Sequence, residues 1–206
     1  MSESNYTESK ESMESKEKEL LLKAKQGDQF AFEQLVYRYD RSVLSIAMRF
    51  VNDPDEAKDI YQEVFIRVFK GLKKFEFRSD FSTWIFRIAT NVCLTHKSRS
   101  KGQMKVSIYK DSTDESDDFS FKEIVDNNVS PEEETSSKNL GQFIDEAVGR
   151  LSERQKITFV LKHYEGYKIR EIAEILDCKE GTVKKYLFDA VKNLRKQLEP
   201  LGAFQT

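Results

Sequence analysis

The sequence is poor in the residues that interrupt regular structure, with 3 prolines and 8 glycines among 206 residues. They are also scarce between residues 19 and 105, where the alternation of apolar and polar residues that marks half-buried strands is missing. These two absences disfavour a strand-rich fold and favour helices. The scarcity of long apolar runs excludes a membrane-spanning helix, and no secretion signal is predicted at the start.

Cysteine is equally rare. Cys93 and Cys178 lie far apart in the chain and match no disulfide framework, which favours a reducing, cytoplasmic compartment. Cys93 precedes His96 by three residues, but two ligands do not make a metal site, and a core cysteine is the simpler interpretation. We therefore predict no metal and no cofactor. No nucleophile triad or paired carboxylate cleft is recognisable, so the sequence does not predict an enzyme.

Charge is nearly balanced overall, and the net value of −2 excludes a polycation that coats nucleic acid. Its distribution is more informative. Residues 19–105 carry 16 basic and 11 acidic side chains and residues 140–206 carry 12 and 10, whereas residues 106–139 carry 3 and 10. Two mildly basic segments are thus separated by a strongly acidic one.

This composition predicts the domain organisation. Residues 1–18 and 106–137 contain too little apolar surface to offset the loss of chain entropy on folding, so we expect a disordered polar tail and a flexible acidic linker. Residues 19–105 and 138–206 carry helical apolar periodicity. The predicted fold class is all-α, with two small helical domains joined by the linker.

Helix starts in the first domain are marked by capping residues. Asp28 is a predicted N-cap, and Asp53 is another, followed by Pro54 at the first helical position. The helix after Asp53 has one apolar face, formed by Ala57, Ile60, Tyr61, Val64, Phe65, Val68, Phe69 and Leu72.

The opposite face of that helix mixes polar residues with one isoleucine. It consists of Asp59, Gln62, Glu63, Ile66 and Lys70. A stray surface isoleucine is a common feature, but polar groups around an apolar contact are also typical of a protein docking face. The pattern alone leaves both interpretations open.

A third helix, capped by Ser79 or Asp80, follows the segment "KKFEFRSDF", where basic and aromatic residues alternate. Such interleaving suits single-stranded nucleic acid, although aromatic residues at helical spacing are usually core. The predicted inner stripe is Phe81, Trp84, Ile85, Ile88 and Val92. The predicted outward residues are Thr83, Arg87, Thr90, Lys97 and Lys101, with Asn91 on the flank.

The second domain ends in a predicted helix–turn–helix, after a capping box formed by Ser152 and Gln155. The spacing requires buried residues at Ile172, Leu176, Cys178, Val183 and Tyr186, with the small Ala173 where the helices cross. Asp177 stands where glycine commonly makes the turn, and aspartate tolerates that geometry. The second helix then exposes Lys179, Glu180, Gly181, Thr182, Lys184 and Lys185. An ordinary helical hairpin is the alternative to a major-groove reader.

Two long stretches resemble a known family. "DEAKDIYQEVFIRVFKGLKKFEFRSDFSTWIFRIATNVCL" resembles region 2 of the extracytoplasmic-function (ECF) sigma factors of the sigma-70 family. "LSERQKITFVLKHYEGYKIREIAEILDCKEGTVKKYLFDAVKNLRKQL" resembles their region 4. The resemblance covers roughly residues 19–105 and 138–200, and the ordered pair of motifs is far more specific than either alone.

The resemblance implies partners and site residues. It implies docking on the clamp helices and flap of core RNA polymerase, binding of promoter DNA and, as a further partner, an anti-sigma factor. The implied polymerase-binding residues are Asp59, Gln62, Glu63 and Ile66. The implied minus-ten residues, which read and melt the promoter, are Trp84, Arg87, Asn91 and Lys97. The implied minus-35 reading helix contains Lys179, Glu180, Gly181, Thr182, Lys184, Lys185 and Tyr186.

The implied function is that of a cytoplasmic sigma factor which directs promoter-specific initiation for a stress or envelope-response regulon. Two other classes stay open. One is a stand-alone helix–turn–helix regulator whose first domain dimerises. The other is a protein that docks on polymerase without reading promoters and inhibits by competition.

Overall fold

The computed structural model describes residues 15–100 and 134–199. Within these ranges no strand is present, and the predicted all-α class is confirmed. The helices are α1 (15–25), α2 (Gln29–Val51), α3 (Pro54–Leu72), α4 (Phe81–Ser100), α5 (Glu134–Gly149), α6 (Glu153–Phe159), a π-helix (Val160–Tyr164), α7 (Ile169–Leu176) and α8 (Glu180–Leu198). Most of the predicted acidic linker and of the polar tail lie outside the described residues, but residues 134–137, predicted as the end of the linker, are helical and belong to α5.

The described helices form two compact units, and the boundary between them lies between Leu94 and Thr95, within α4. In the first unit, helix starts coincide with the predicted caps. The Asp28 carboxylate accepts a hydrogen bond from the backbone N–H of Ala31 at 3.0 Å. The Asp53 carboxylate accepts from the N–H groups of Asp55 and Glu56, both at 2.9 Å. Each such cap contributes about 1 kcal/mol of helix stability.

Helix α1 begins earlier than the sequence predicts, because residues 15–18 are helical rather than part of the tail. Both carboxylate oxygens of Glu17 accept from the Tyr39 hydroxyl at 3.1 Å, and one lies 3.2 Å from Nε of Arg38. Leu21 and Ala24 are buried on the same helix. A glutamate in a polar-looking stretch therefore attaches α1 to α2.

The core of the first unit lies between α2, α3 and α4. Helix α2 contributes Leu35, Val43, Ile46, Ala47 and Phe50, all nearly inaccessible to solvent. Helix α3 contributes Ala57, Ile60, Val64, Val68 and Leu72. These residues recur at three- and four-residue intervals, so each helix buries one stripe and leaves the other side for function.

In the second unit, α5 packs against α8 through Ala147, Val148, Leu151, Ala190, Leu194 and Leu198. The predicted capping box opens α6: the Gln155 N–H donates to the Ser152 hydroxyl, and the Ser152 N–H donates to the Gln155 side chain, both at 3.4 Å. This short helix runs into the π-helix, which ends before Gly166 at a positive φ of 74°.

The predicted helix–turn–helix is confirmed in α7 and α8. Ile172, Leu176 and Val183 are buried as the spacing requires, and Ala173 is buried at the crossing, whereas Cys178 and Tyr186 are half-buried. Asp177 ends α7 in the left-handed conformation, with φ 51° and ψ 54°. The N–H of Cys178 then donates to the carbonyl of Ala173 at 3.0 Å, which satisfies a carbonyl at the helix end.

The conformation of Asp177 makes a stability prediction. Replacing Asp177 with glycine should raise the free energy of unfolding of the second unit by about 0.5–1 kcal/mol, because glycine adopts a left-handed φ without steric cost. Asp177→Val should lower it by about 1–2 kcal/mol, since a β-branched side chain is strained there. Chemical denaturation followed by circular dichroism measures both. Equal stability of the two variants would contradict the assigned turn.

Candidate functional site

An open groove of about 440 Å³ runs between α2 and α3 on the first unit. Its walls are almost entirely apolar. The lining residues are Phe32, Val36, Tyr61, Gln62, Phe65, Ile66 and Phe69. Phe32 and Phe69 meet edge-to-face across it, with ring centroids 5.1 Å apart. An apolar depression that stays partly open to solvent is the kind of surface that receives side chains of another protein.

The predicted polymerase-binding residues divide between the groove and its border. Gln62 and Ile66 line the groove, and Ile66 is 46% exposed although it is aliphatic. Asp59 is exposed outside the groove. Glu63 is half-exposed and accepts a hydrogen bond from Nε of Arg67 at 2.7 Å. Of the four residues, Ile66 is the apolar contact, and the polar residues lie around it. Arg67 holds the Glu63 carboxylate in place.

Phe69 belongs to the apolar face that the sequence predicts for α3, but in the structure it is 64% exposed and lines the groove instead of packing in the core. Phe32 on α2 is likewise only half-buried. A helical wheel places such residues correctly at the edge of the apolar stripe, but it does not indicate that the neighbouring helix leaves that edge uncovered. The apolar stripe of α3 is wider than one neighbouring helix can cover, and this width was the sequence signal for an exposed apolar edge.

Tyr61 contributes a phenol to the lining of the groove. Burial raises the pKa of Tyr61, and the nearby Asp40 and Tyr37 raise it further. The phenol therefore keeps its proton to a higher pH than an exposed tyrosine does.

The α4 face that carries the predicted minus-ten residues differs from the sequence prediction. Trp84, Arg87 and Asn91 are half-buried and fall within about 60° of one another around the helix axis. Ile88, which was predicted to be inside with Trp84, shares this less buried side. Lys97 points about 140° away from Trp84 and lies beyond the unit boundary, so the first unit brings together only the first three.

Thr83 and Thr90, predicted to face outward, are 7% and 1% exposed. The Thr90 hydroxyl donates to the Arg87 carbonyl at 3.1 Å. A threonine that satisfies its hydroxyl within its own helix can be buried at little cost. The pattern failed here because α4 carries apolar residues on all sides, so polarity alone did not define its inner face.

Trp84 belongs to a set of rings that we call the aromatic cluster: Tyr39, Phe75, Phe81, Trp84 and Phe86. The ring centroid of Trp84 lies 5.0 Å from that of Phe75 and 5.5 Å from that of Phe81. A methyl group added at Gly71 on α3 would come within 3.1 Å of Trp84 Cζ2. One side of the indole is thus held by the cluster and by the glycine, while the rest is accessible from the α4 face.

The segment between α3 and α4, residues 73–80, borders this face and is here called the 73–80 loop. Phe75 is buried, whereas Phe77 is 39% exposed and has a positive φ of 56°. Lys73, Lys74 and Arg78 are exposed, and Arg78 pairs with Glu76 at 2.7 Å. The basic and aromatic residues of "KKFEFRSDF" therefore do lie partly on the surface, as single-strand binding requires.

On the second unit, the start of α8 presents the residues predicted to read DNA. Lys179 occupies the N-cap position of α8. Five of the seven predicted residues are exposed, namely Lys179, Glu180, Gly181, Lys184 and Lys185, while Thr182 and Tyr186 are half-buried. A helix that projects its first turns in this way, carried by a tight turn after a short helix, has the form that enters a major groove.

The Cys93 thiol is fully buried, which raises its pKa to about 12. Among the described residues, no group of three His, Cys, Asp or Glu side chains is placed to hold a metal ion. In the same part of the chain, no helix combines the length and the apolar character needed to cross a membrane.

A helical unit with an apolar groove and a second unit with an exposed helix–turn–helix define a class of DNA-binding proteins that also contact protein. Comparison with known proteins is more specific. Residues 35–102 match the family Sigma-70 region 2, and residues 143–194 match the family Sigma-70, region 4.

Curated relatives align with about nine-tenths of the chain. ECF RNA polymerase sigma factor SigW of Bacillus subtilis is 32% identical over 189 residues, which cover 92% of this chain and 100% of that protein. RNA polymerase sigma-H factor of Pseudomonas aeruginosa is 30% identical over 188 residues, which cover 90% and 95%. The chain therefore belongs to the ECF sigma factors of the sigma-70 family.

Two solved structures share the fold. CnrH, in complex with the cytosolic domain of CnrY, aligns with a TM-score of 0.63 at 20% identity, covering 90% of this chain and 98% of CnrH. The sigma factor RpoE of Bartonella quintana, in complex with the anti-sigma factor NepR, aligns with a TM-score of 0.57 at 19% identity, covering 82% and 96%.

The contact between Gly71 and Trp84 generates a prediction. Gly71→Val should displace the indole, because even the first added carbon would lie 3.1 Å from Cζ2. Trp84 is the single tryptophan, so intrinsic fluorescence reports on it directly. We expect emission at longer wavelength from a more hydrated ring. Gly141→Val, where nothing lies within 4 Å, is the control and should leave the emission unchanged. A Gly71→Val spectrum identical to wild type would contradict the described packing.

Proposed function

We propose that this protein docks on core RNA polymerase and directs promoter-specific initiation, with strand opening assigned to the first unit and duplex recognition to the second. The observation that carries the proposal is the placement of the two family regions on two separate surfaces: an apolar groove beside α3 and an exposed helix at the start of α8. The protein acts in the cytoplasm and by binding rather than by catalysis. Its target genes are those of a stress or envelope response.

Docking is assigned to the groove. Ile66 and Phe69 are large apolar residues that are 46% and 64% exposed. Contact of this apolar surface with water is unfavourable, and a bound partner would bury it. Asp59 and Glu63 supply carboxylates on the border, where charged groups set orientation more than affinity. A helix of the polymerase clamp with apolar side chains facing the groove and basic ones facing α3 fits this arrangement.

Strand opening is assigned to α4 and the 73–80 loop. Opening a duplex requires a few kcal/mol for each unstacked base, and a protein offsets this by binding the separated strand better than the duplex. Trp84 offers a ring for stacking, Arg87 a fixed positive charge and Asn91 an amide that can pair with a base edge. Their shared position on one side of α4 supports this assignment.

Duplex recognition at the minus-35 element is assigned to α8. Lys184 and Lys185 supply charge for phosphates, while Glu180 and Thr182 lie in the first turn, which enters the groove first. The small number of basic residues gives this unit modest affinity of its own, so promoter binding relies on the polymerase for most phosphate contacts. An anti-sigma factor is the expected regulator, and it would act by covering these surfaces.

The docking assignment is tested with Ile66→Asp. We expect affinity for purified core polymerase to fall about thirty-fold or more, because a charge would replace an apolar residue at the centre of the interface. Leu44→Asp is the matched control: Leu44 is a comparably exposed aliphatic residue on α2 that does not line the groove. Fluorescence anisotropy measures both. Equal affinities of the two variants, with helix content intact, would remove the groove from the interface.

The opening assignment is tested with Asn91→Ala. Transcription from a fully duplex promoter should fall about ten-fold, since base capture must then proceed without the amide. On a template whose minus-ten element is already mismatched open, the loss should be less than about three-fold, because the strands need no separation. Run-off assays with both templates provide the comparison. An equal loss on the two would show that Asn91 supports the fold instead.

A further inference from the structure

One lysine reaches the 73–80 loop from a distant part of the sequence. Nζ of Lys25, the last residue of α1, donates a hydrogen bond to the carbonyl oxygen of Phe75. The same ammonium lies 5.0 Å from the centre of the Phe77 ring, within cation–π range. Lys25 is half-buried, so its charge is partly removed from water and both contacts gain strength.

The loop needs such support. Phe77 adopts a left-handed backbone, with φ 56°, which is unfavourable for an aromatic residue and persists only where the surroundings enforce it. Its ring contacts Phe75 at 4.9 Å between centroids. Phe75 in turn packs on Phe81 and Trp84 in the aromatic cluster. Lys25 thus contacts both the carbonyl of Phe75, two residues before the strained position, and the ring of Phe77 itself.

Contacts with α2 and with the core hold helix α1, and therefore Lys25, in position. Glu17, two turns earlier, is bonded to Tyr39 and Arg38 of α2, and Leu21 and Ala24 are buried. Tyr39 belongs to the same aromatic cluster, with its ring 5.5 Å from that of Phe81. Both ends of α1 therefore attach to the structure that supports the 73–80 loop. By contrast, the Lys23 ammonium forms an exposed pair with Glu19 on its own helix.

We propose that Lys25 is a positioning residue for promoter opening: it holds the 73–80 loop in the conformation that exposes Phe77 and packs Phe75 against Trp84 of α4. Lys25 acts through the loop and not by touching DNA. The inference rests on the proposed function, because positioning matters only if this surface engages an opened strand. It assigns a role to α1, a segment that the sequence places at the edge of a polar tail.

The test uses the full chain bound to core polymerase. Lys25→Met keeps the length and apolar stem of the side chain but removes the charge and the donor, whereas Lys25→Arg keeps both. We expect Lys25→Met to slow opening of a duplex promoter about five- to twenty-fold, the effect of losing one partly buried charged contact. Stopped-flow fluorescence of 2-aminopurine in the minus-ten element measures the rate. Lys25→Arg should remain within about three-fold of wild type, and Lys23→Met should match wild type.

A double-mutant cycle separates positioning from general stability. If Lys25 works through Phe77, then Phe77→Ala should remove most of the benefit of Lys25, and the two losses should be clearly non-additive. Additive losses, a Lys25→Met opening rate equal to that of Lys23→Met, or an equal loss on a pre-opened template would each overturn the proposal. The proposed function is judged separately: if wild-type protein starts no promoter-dependent transcript with core polymerase, that proposal fails first, whatever the Lys25 variants do.

Discussion

The ring of Phe81 is where three separate parts of the first unit meet, and the orientation of the α4 face that carries Trp84, Arg87 and Asn91 depends on that contact. Phe81 is 3% exposed and contacts Tyr39 of α2, Phe75 of the 73–80 loop and Trp84 one turn further along its own helix. Edge-to-face and tilted ring contacts of this kind have preferred geometries, so they fix orientation as well as burying area. A helix held in this way keeps Trp84, Arg87 and Asn91 on one side while its other sides are covered.

The same constraint explains why the two proposed surfaces of the first unit coexist. Helix α2 uses Tyr39 for the aromatic cluster and uses Phe32 and Val36 for the groove, so one helix supports both. Helix α3 likewise buries Val64 and Val68 but exposes Ile66 and Phe69. Each helix therefore has a wide apolar stripe, of which only the middle is consumed by the core. The uncovered apolar edges are unfavourable in water when the protein is alone. Burial of these edges by a binding partner would explain why the chain keeps them.

Much of this architecture was predictable from local rules, and the exceptions share one cause. Caps at Asp28, Asp53 and Ser152, and the turn at Asp177, follow from short-range hydrogen bonding and backbone preference, and the structure contains all four. The errors concern what covers a given face. Phe69 is exposed, Thr90 is buried and Glu17 is helical, because tertiary contacts decided each of them. Lys25 was missed for the same reason, since its partners lie 50 residues away.

Run-off transcription with purified core polymerase on a library of duplex genomic fragments tests most directly whether one chain couples polymerase docking to promoter reading. We expect that adding the protein yields transcripts from defined start sites whose templates share a minus-ten and a minus-35 element at fixed spacing. Core polymerase alone should give none of these transcripts. Binding to core without any promoter-dependent transcript, or tight binding to a palindromic duplex in the absence of polymerase, would contradict it.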